Sequence, residues 1–207
     1  MPFIAIDKAT GERIDITQTP DIMLAYQPGT LACQLCGGSM FPRSEHERKT
    51  PSGAVCSVRA YFRHASKECD TDYAAHPESV EHRLGKLYIA TFWLPQFAWY
   101  KDAKIEYEVP IREAGIRRVV DVLATLPSGH RIAHEVQLAA ITPRELKERT
   151  DDYAAAGIDV FWHLGGRAND YANCEYLDST YGQRSTIAFI RPAGAEGLGV
   201  GRATAHR

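Results

Sequence analysis

Residues 119–137 read VVDVLATLPSGHRIAHEVQ, and this stretch decides the fold. Two runs of β-branched and aliphatic residues flank Pro127-Ser128-Gly129, a three-residue hairpin loop in which two right-handed positions precede a glycine able to turn left-handed. Such a loop pairs Leu126 with His130. In that register Asp121 falls opposite Glu135, and Gln137 lies on the same face because strand side chains alternate. A carboxylate inside an apolar strand is costly unless it is paired, hydrogen-bonded or bound to metal. Two like charges facing each other weaken a sheet unless a cation lies between them, and a hard divalent ion such as Mg²⁺ or Mn²⁺ suits two carboxylates. The bland alternative is a pair of acids satisfied by nearby arginines, with Arg117 and Arg118 as candidates.

Working outward, KIEYEVPI (104–111) is a further strand-like run, so three strands follow one another as an antiparallel meander. Downstream, Thr142-Pro143-Arg144-Glu145 supplies a cap, a proline at the first helical position and a glutamate at the third, starting a helix that Gly157 ends. The run IDVFWHL (158–164) then reads as a buried strand, and strand, helix, strand favours a right-handed crossover with a parallel pair. Ahead of the meander, the stretch from Pro77 places Leu84, Leu87, Tyr88 and Thr91 at helical spacing. The order is helix, three-stranded antiparallel meander, helix, parallel strand, an α/β core over residues 77–192. Residues 184–191 are expected as an edge strand and 193–207 as a disordered tail. On the first helix Glu78, His82 and Lys86 share a face with Glu81 beside them, which makes either a solvated charged face or a group aimed at the acidic hairpin.

Residues 1–76 differ in texture. FIAID and RIDI make a hairpin, while residues 27–76 are rich in Gly, Pro, Ser and Cys and hold too few apolar residues for a core of their own. Cys33 and Cys36 stand two apart before Gly37-Gly38, the knuckle that lets both sulfurs reach one ion, and His64 with Cys69 completes a Cys3His set suited to tetrahedral zinc. Cys56 competes for any of these places. Four protein ligands leave no open position, so the zinc is expected to be structural and to supply folding free energy. His134-Glu135 lacks the second histidine of an HExxH metalloprotease, and no deaminase motif is present. Cys174 reads as a bystander in a polar loop.

The composition of the 207 residues, 44% hydrophobic and 24% charged, is that of a globular protein rather than a disordered one. A formal charge of −2 excludes a whole-protein basic field, so any nucleic-acid contact has to be local. Arg43, Arg48, Lys49, Arg59, Arg63 and Lys67 lie around the cysteine module, and Arg144, Lys147 and Arg149 lie on the second helix; Tyr153 and Trp162 read as core. No apolar run approaches the roughly 20 residues of a membrane span, and MPFIAIDK lacks the pattern of a signal peptide, so a cytoplasmic location without membrane contact is expected.

These residues together resemble the competence protein CoiA-like family. The likeness rests on the CxxC at Cys33 to Cys36, the FRH ending at His64 with Cys69, ESVEH from Glu78 to His82 with Lys86, RVVDV ending at Val122, EVQ from Glu135 to Gln137, and ITPRELKERTDDYAAAGIDVFWHL (141–164). It covers roughly residues 30–165. The resemblance implies an N-terminal zinc-finger-like element joined to a PD-(D/E)XK, restriction-endonuclease-like nuclease domain. It implies Asp121 and Glu135 as acids binding Mg²⁺ or Mn²⁺ and Glu81 as a helix-borne acid near that metal, with His82 and Lys86 contacting phosphate or water. Gln137 stands where the wider superfamily usually has lysine, a departure that bears on how an attacking water is oriented. The activity expected is that of a metal-dependent deoxyribonuclease acting on incoming or foreign DNA, with Arg63, Arg144, Lys147 and Arg149 as DNA contacts. A catalytically inactive DNA-binding or recombination-accessory protein with structural zinc is the alternative. The partners expected are DNA, then recombination or defence proteins, with a homodimer as the candidate assembly.

Overall fold

The computed structural model describes residues 3–19, 21–49, 53, 55–65, 79–182, 184–190 and 199–206. The chain divides into two compact units, Met1–Val80 and Glu81–Arg207. Glu78, Cys69 and the side chain of Cys56 lie outside the described residues.

The first unit is built on strands. Its sheet runs β2 (Arg13–Asp15), β1 (Ile4–Asp7), β3 (Leu31–Ala32), β4 (Ser39–Arg43), β7 (Tyr61–His64), antiparallel throughout, while β5 (His46–Lys49) and β6 (Val55–Val58) pair separately. The β1–β2 turn closes because Asp7 Oδ1 accepts the N–H groups of Ala9 and Thr10 at 2.7 and 3.2 Å. Residues beyond Gln27 bury apolar side chains in company with the N-terminal hairpin, since pairing places Leu31, Met40 and Phe62 in one sheet with Ile4 and Ala5, and these, with Phe3 and Ile16, are all buried. Apolar residues scattered without a period in the sequence are brought together by the sheet.

The second unit is a mixed α/β fold. Its sheet has the order β13 (Gly199–His206), β12 (Arg184–Ile190), β11 (Ile158–Leu164), β10 (Arg131–Gln137), β9 (Arg118–Thr125), β8 (Lys104–Ile111). β8, β9 and β10 are antiparallel neighbours, and β10–β11 and β11–β12 are parallel. The parallel pairs need crossovers, and α2 (Pro143–Ala155) and α3 (Tyr171–Tyr181) provide them. α1 (Val80–Tyr88) precedes the sheet and continues into a wider helical turn, Ile89–Trp93. Ile89, Ala90, Trp93 and Leu94 pack on Val122 and Val136, whereas Tyr153 and Ala156 of α2 join Val120, Leu123 and Ala133, so helices cover both faces.

Three expectations change in this unit. On α1 the buried residues are Gly85 and Lys86, followed by Ile89, Ala90 and Trp93, while Thr91 is exposed; the widened turn rotates the apolar stripe, and Lys86 is buried by virtue of an acid partner. Cys174 sits on α3 rather than in a loop, a helix capped by Asp170 and ended by Gly182 at φ 65°. Residues 199–206, expected within a disordered tail, pair antiparallel with β12, so β12 is not the edge. Among the described residues no helix is long and apolar enough to cross a membrane.

Candidate functional site

The hairpin builds the site. Gly129 takes φ 85°, Leu126 and His130 bond across the loop, and the ladder pairs Arg131 with Thr125 and onward to His134 with Val122. The ladder ends there. Asp121 and Glu135 would pair next, but the Val136 N–H donates to Asp121 Oδ2 at 2.9 Å, and the Asp121 N–H donates to Glu135 Oε1 at 3.2 Å. Where the strands part, each carboxylate occupies the other strand's backbone donor.

Side chains from both helices converge on this seam. From α1, His82 Nε2 lies 3.1 Å from Asp121 Oδ2. From α2, Tyr153 Oη donates to Glu135 Oε1 at 2.8 Å, and Arg149 donates to Glu135 Oε2 at 3.3 Å and to Gln137 Oε1 at 3.0 Å. The capping box of Thr142 and Glu145 starts α2, and Arg149 and Tyr153 are four apart on one face of it. Gln137 is fully engaged, since its Nε2 donates to Ala139 O at 2.9 Å. Asp121 Oδ1 makes no hydrogen bond among the described residues.

The two acids titrate apart. Burial works to raise Asp121, but the charge and hydrogen bond of His82, the charge of Lys86 and the Val136 N–H outweigh it and hold the carboxyl well below the ordinary carboxylate range. Burial, and then the Asp121 charge, push Glu135 up to about 7 against the pull of Arg149, Tyr153 and the Asp121 N–H. Paired carboxylates with divergent proton affinities mark functional sites, and these two, with one oxygen unpartnered and one facing only a guanidinium, are hard donors that fit a divalent cation.

The sequence reading missed one acid. Glu108 of β8 stands opposite Asp121, between the ladder pairs Tyr107–Val122 and Val109–Val120. It is buried, has φ 47°, and accepts a 2.9 Å bond from the buried Lys86 Nζ. In KIEYEVPI it looks like one of two alternating glutamates, and the register across the loop to β9 cannot be read from turn chemistry.

Other expected site residues lie elsewhere. Glu81 makes no hydrogen bond or ion pair among the described residues. Arg118 binds Asp152 at 2.7 Å rather than the acid pair. Arg144 and Lys147 form exposed i,i+4 pairs with Glu148 and Asp151. Arg63 belongs to the first unit, its guanidinium 6.0 Å from the Phe41 ring centroid. Arg149, expected at a DNA surface, is half-buried among the acids and lies 5.3 Å from the Trp162 ring centroid; Tyr153, read as core, is both core and a site donor.

In the first unit Cys33, Cys36 and His64 bring their ligand atoms within 4.8 Å of one another. Thiolates about 2.3 Å from a tetrahedral ion stand roughly 3.8 Å apart, so the cluster could hold a metal. The Cys33 N–H donates to Gly38 O at 2.8 Å and the Gly38 N–H to Cys36 Sγ at 3.3 Å. A side chain at Gly38 would meet that sulfur at 3.1 Å.

A family model described as "Competence protein CoiA, nuclease-like domain" matches residues 78–188. Competence protein CoiA of Bacillus subtilis (strain 168) is 28% identical over 159 residues, an alignment covering 75% of this chain and 35% of that protein. Among solved structures, a repair endonuclease from Pyrococcus abyssi aligns at 13% identity and a TM-score of 0.34, over 75% of this chain and 66% of that one, a likeness too loose to carry any inference.

Proposed function

The chain belongs to the competence protein CoiA nuclease-like family, and on that premise we propose that it is a divalent-metal-dependent DNA nuclease acting on incoming or foreign DNA. In this reading residues 77–192 are a PD-(D/E)XK-like, restriction-endonuclease-like domain and residues 1–76 a module stabilised by zinc on Cys33, Cys36, His64 and Cys69. The observation that carries it is the adjacency of Asp121 and Glu135 at the β9–β10 seam, with His82, Tyr153 and Arg149 holding them.

Hydrolysis forms a phosphorus–oxygen bond to water and breaks the bond to a sugar oxygen; the water gives up a proton and the leaving oxygen takes one. Mg²⁺ or Mn²⁺ on Asp121 and Glu135 would lower the pKa of a bound water and neutralise charge at phosphorus. His82 and the Val136 N–H fix Asp121 Oδ2, leaving Oδ1 for the cation. Tyr153 and the Asp121 N–H fix Glu135 Oε1, and Oε2, which accepts only from Arg149, would be the oxygen offered to the cation.

The test is cleavage of plasmid and labelled single-stranded DNA with Mg²⁺ or Mn²⁺ by the wild type and by Asp121→Asn. Cutting by the wild type alone, with the variant folded, is the expected result. The second reading, a DNA-binding accessory protein without activity, is favoured by the engagement of Gln137 on both sides of its amide. It takes over if both proteins bind DNA and neither cuts.

A further inference from the structure

The Lys86–Glu108 pair carries an inference that rests on the metal-dependent reading above. Both side chains are buried, and Glu108 holds a left-handed φ of 47° in the middle of a strand, a conformation unfavourable for any residue but glycine. A buried ion pair and a strained backbone are each costly, and both occur at the position facing Asp121 across the β8–β9 ladder. Its neighbours Tyr107 and Val109 pack among apolar residues.

We propose that Glu108 is a positioning residue of the acidic site: it captures the Lys86 ammonium and so keeps that cation from pairing with Asp121, leaving the Asp121 carboxylate open to a divalent ion. His82, one turn before Lys86 on α1, bonds Asp121, and Glu108, which holds the Lys86 ammonium at 2.9 Å, stands opposite Asp121 in the ladder, so the ammonium lies beside the Asp121 carboxylate. With Glu108 removed, it stands where the metal should bind. At this left-handed kink the alternation of β8 changes phase, with Ile105 and Tyr107 in one apolar cluster and Val109 and Ile111 in the other.

The experiment compares full-length wild type, Glu108→Gln, Glu108→Gly and the double variant Lys86→Met/Glu108→Gln. Each is followed by thermal melting without metal, Mn²⁺ titration calorimetry and DNA cleavage. Glycine accepts the left-handed backbone, so Glu108→Gly removes the carboxylate while relieving strain and keeps the test available if the glutamine variant fails to fold. Both single variants are expected to lose Mn²⁺ affinity by about tenfold or more, and the double variant to regain most of it, because the competing cation is gone. A role in folding alone also predicts rescue by the double variant, which removes the orphan buried ammonium. The Mn²⁺ comparison is therefore made at a temperature where melting shows each variant folded, and there a role in folding alone predicts wild-type affinity for the single variants. The proposal is overturned if the single variants bind Mn²⁺ like the wild type, or if the double variant stays as weak as the singles. A wild type that binds Mn²⁺ without cutting DNA removes the nuclease reading and leaves the Mn²⁺ comparison to decide the role of Glu108. One that binds no Mn²⁺ overturns both.

Discussion

Arg149 illustrates how much one residue changes the chemistry of its neighbours. Its guanidinium is the cation facing Glu135 Oε2, and it works to lower a carboxyl that burial and Asp121 push up to about 7. Replacing it by methionine removes that restraint and moves the carboxyl further up. Glu135 must be ionised to hold a cation, so the pH at which Mn²⁺ binding reaches half its full strength should rise in Arg149→Met. Calorimetry from about pH 6 to about pH 9 would show the shift, and an unmoved midpoint would mean that Arg149 does not govern Glu135. Tyr153→Phe deletes a buried donor to the same carboxylate and should lower stability by about 1–2 kcal/mol in urea unfolding.

Among the elements, α2 has the most to position, since Arg149 and Tyr153 both depend on where it begins. Its start is held by a reciprocal pair: the Glu145 N–H donates to Thr142 Oγ1 at 3.2 Å, and the Thr142 N–H donates to Glu145 Oε2 at 2.8 Å. Thr142→Ala should cost about 1 kcal/mol, read as a lower melting temperature. At the far end of β11, Gly165 passes so close to its neighbours that a Cβ would lie 2.7 Å from Ile187 O and 2.8 Å from Leu138 Cδ2. Gly165→Ala should therefore destabilise by roughly 1–3 kcal/mol, and a neutral result would show that β12 can shift to make room.

Across the whole molecule, acid should weaken the second unit through a polar chain buried in its core. Tyr100 Oη lies 2.8 Å from His134 Nε2, His134 Nδ1 lies 3.1 Å from His163 Nε2, and His163 Nδ1 reaches Ser185 Oγ at 2.5 Å. Burial lowers His134 from 6.5 to about 3, and burial together with His134 lowers His163 well below 6.5. The unfolded chain takes up these protons below about pH 6.5 and the folded chain does not, so their contribution is intact above that pH and is lost as it falls. The loss is on the order of 1 kcal/mol per pH unit for each histidine. Melting from about pH 7 down to about pH 5 should fall more steeply for the wild type than for His134→Gln; parallel curves would place the acid sensitivity elsewhere. In the first unit, stripping metal with a strong chelator should speed proteolysis, and unchanged cleavage after verified removal would count against a structural role for the Cys33, Cys36 and His64 cluster.

Local rules determined part of this protein from its sequence. Pro127-Ser128-Gly129 sets the hairpin register through turn chemistry, and that register alone places Asp121 beside Glu135. Thr142 and Glu145 announce α2 within four residues, and the Cys33 to Cys36 spacing announces two thiols of a cluster that could hold a metal, each being a short-range constraint. Only the tertiary structure decided the rest. Which face of α1 is buried depends on a lysine that counts as apolar only once Glu108 neutralises it. That Glu108 faces Asp121, and that Arg149 rather than Arg118 meets Glu135, depends on how a loop and a crossover return the chain to the sheet. No pattern of spacing encodes those distances, because they are set by packing between elements far apart in sequence.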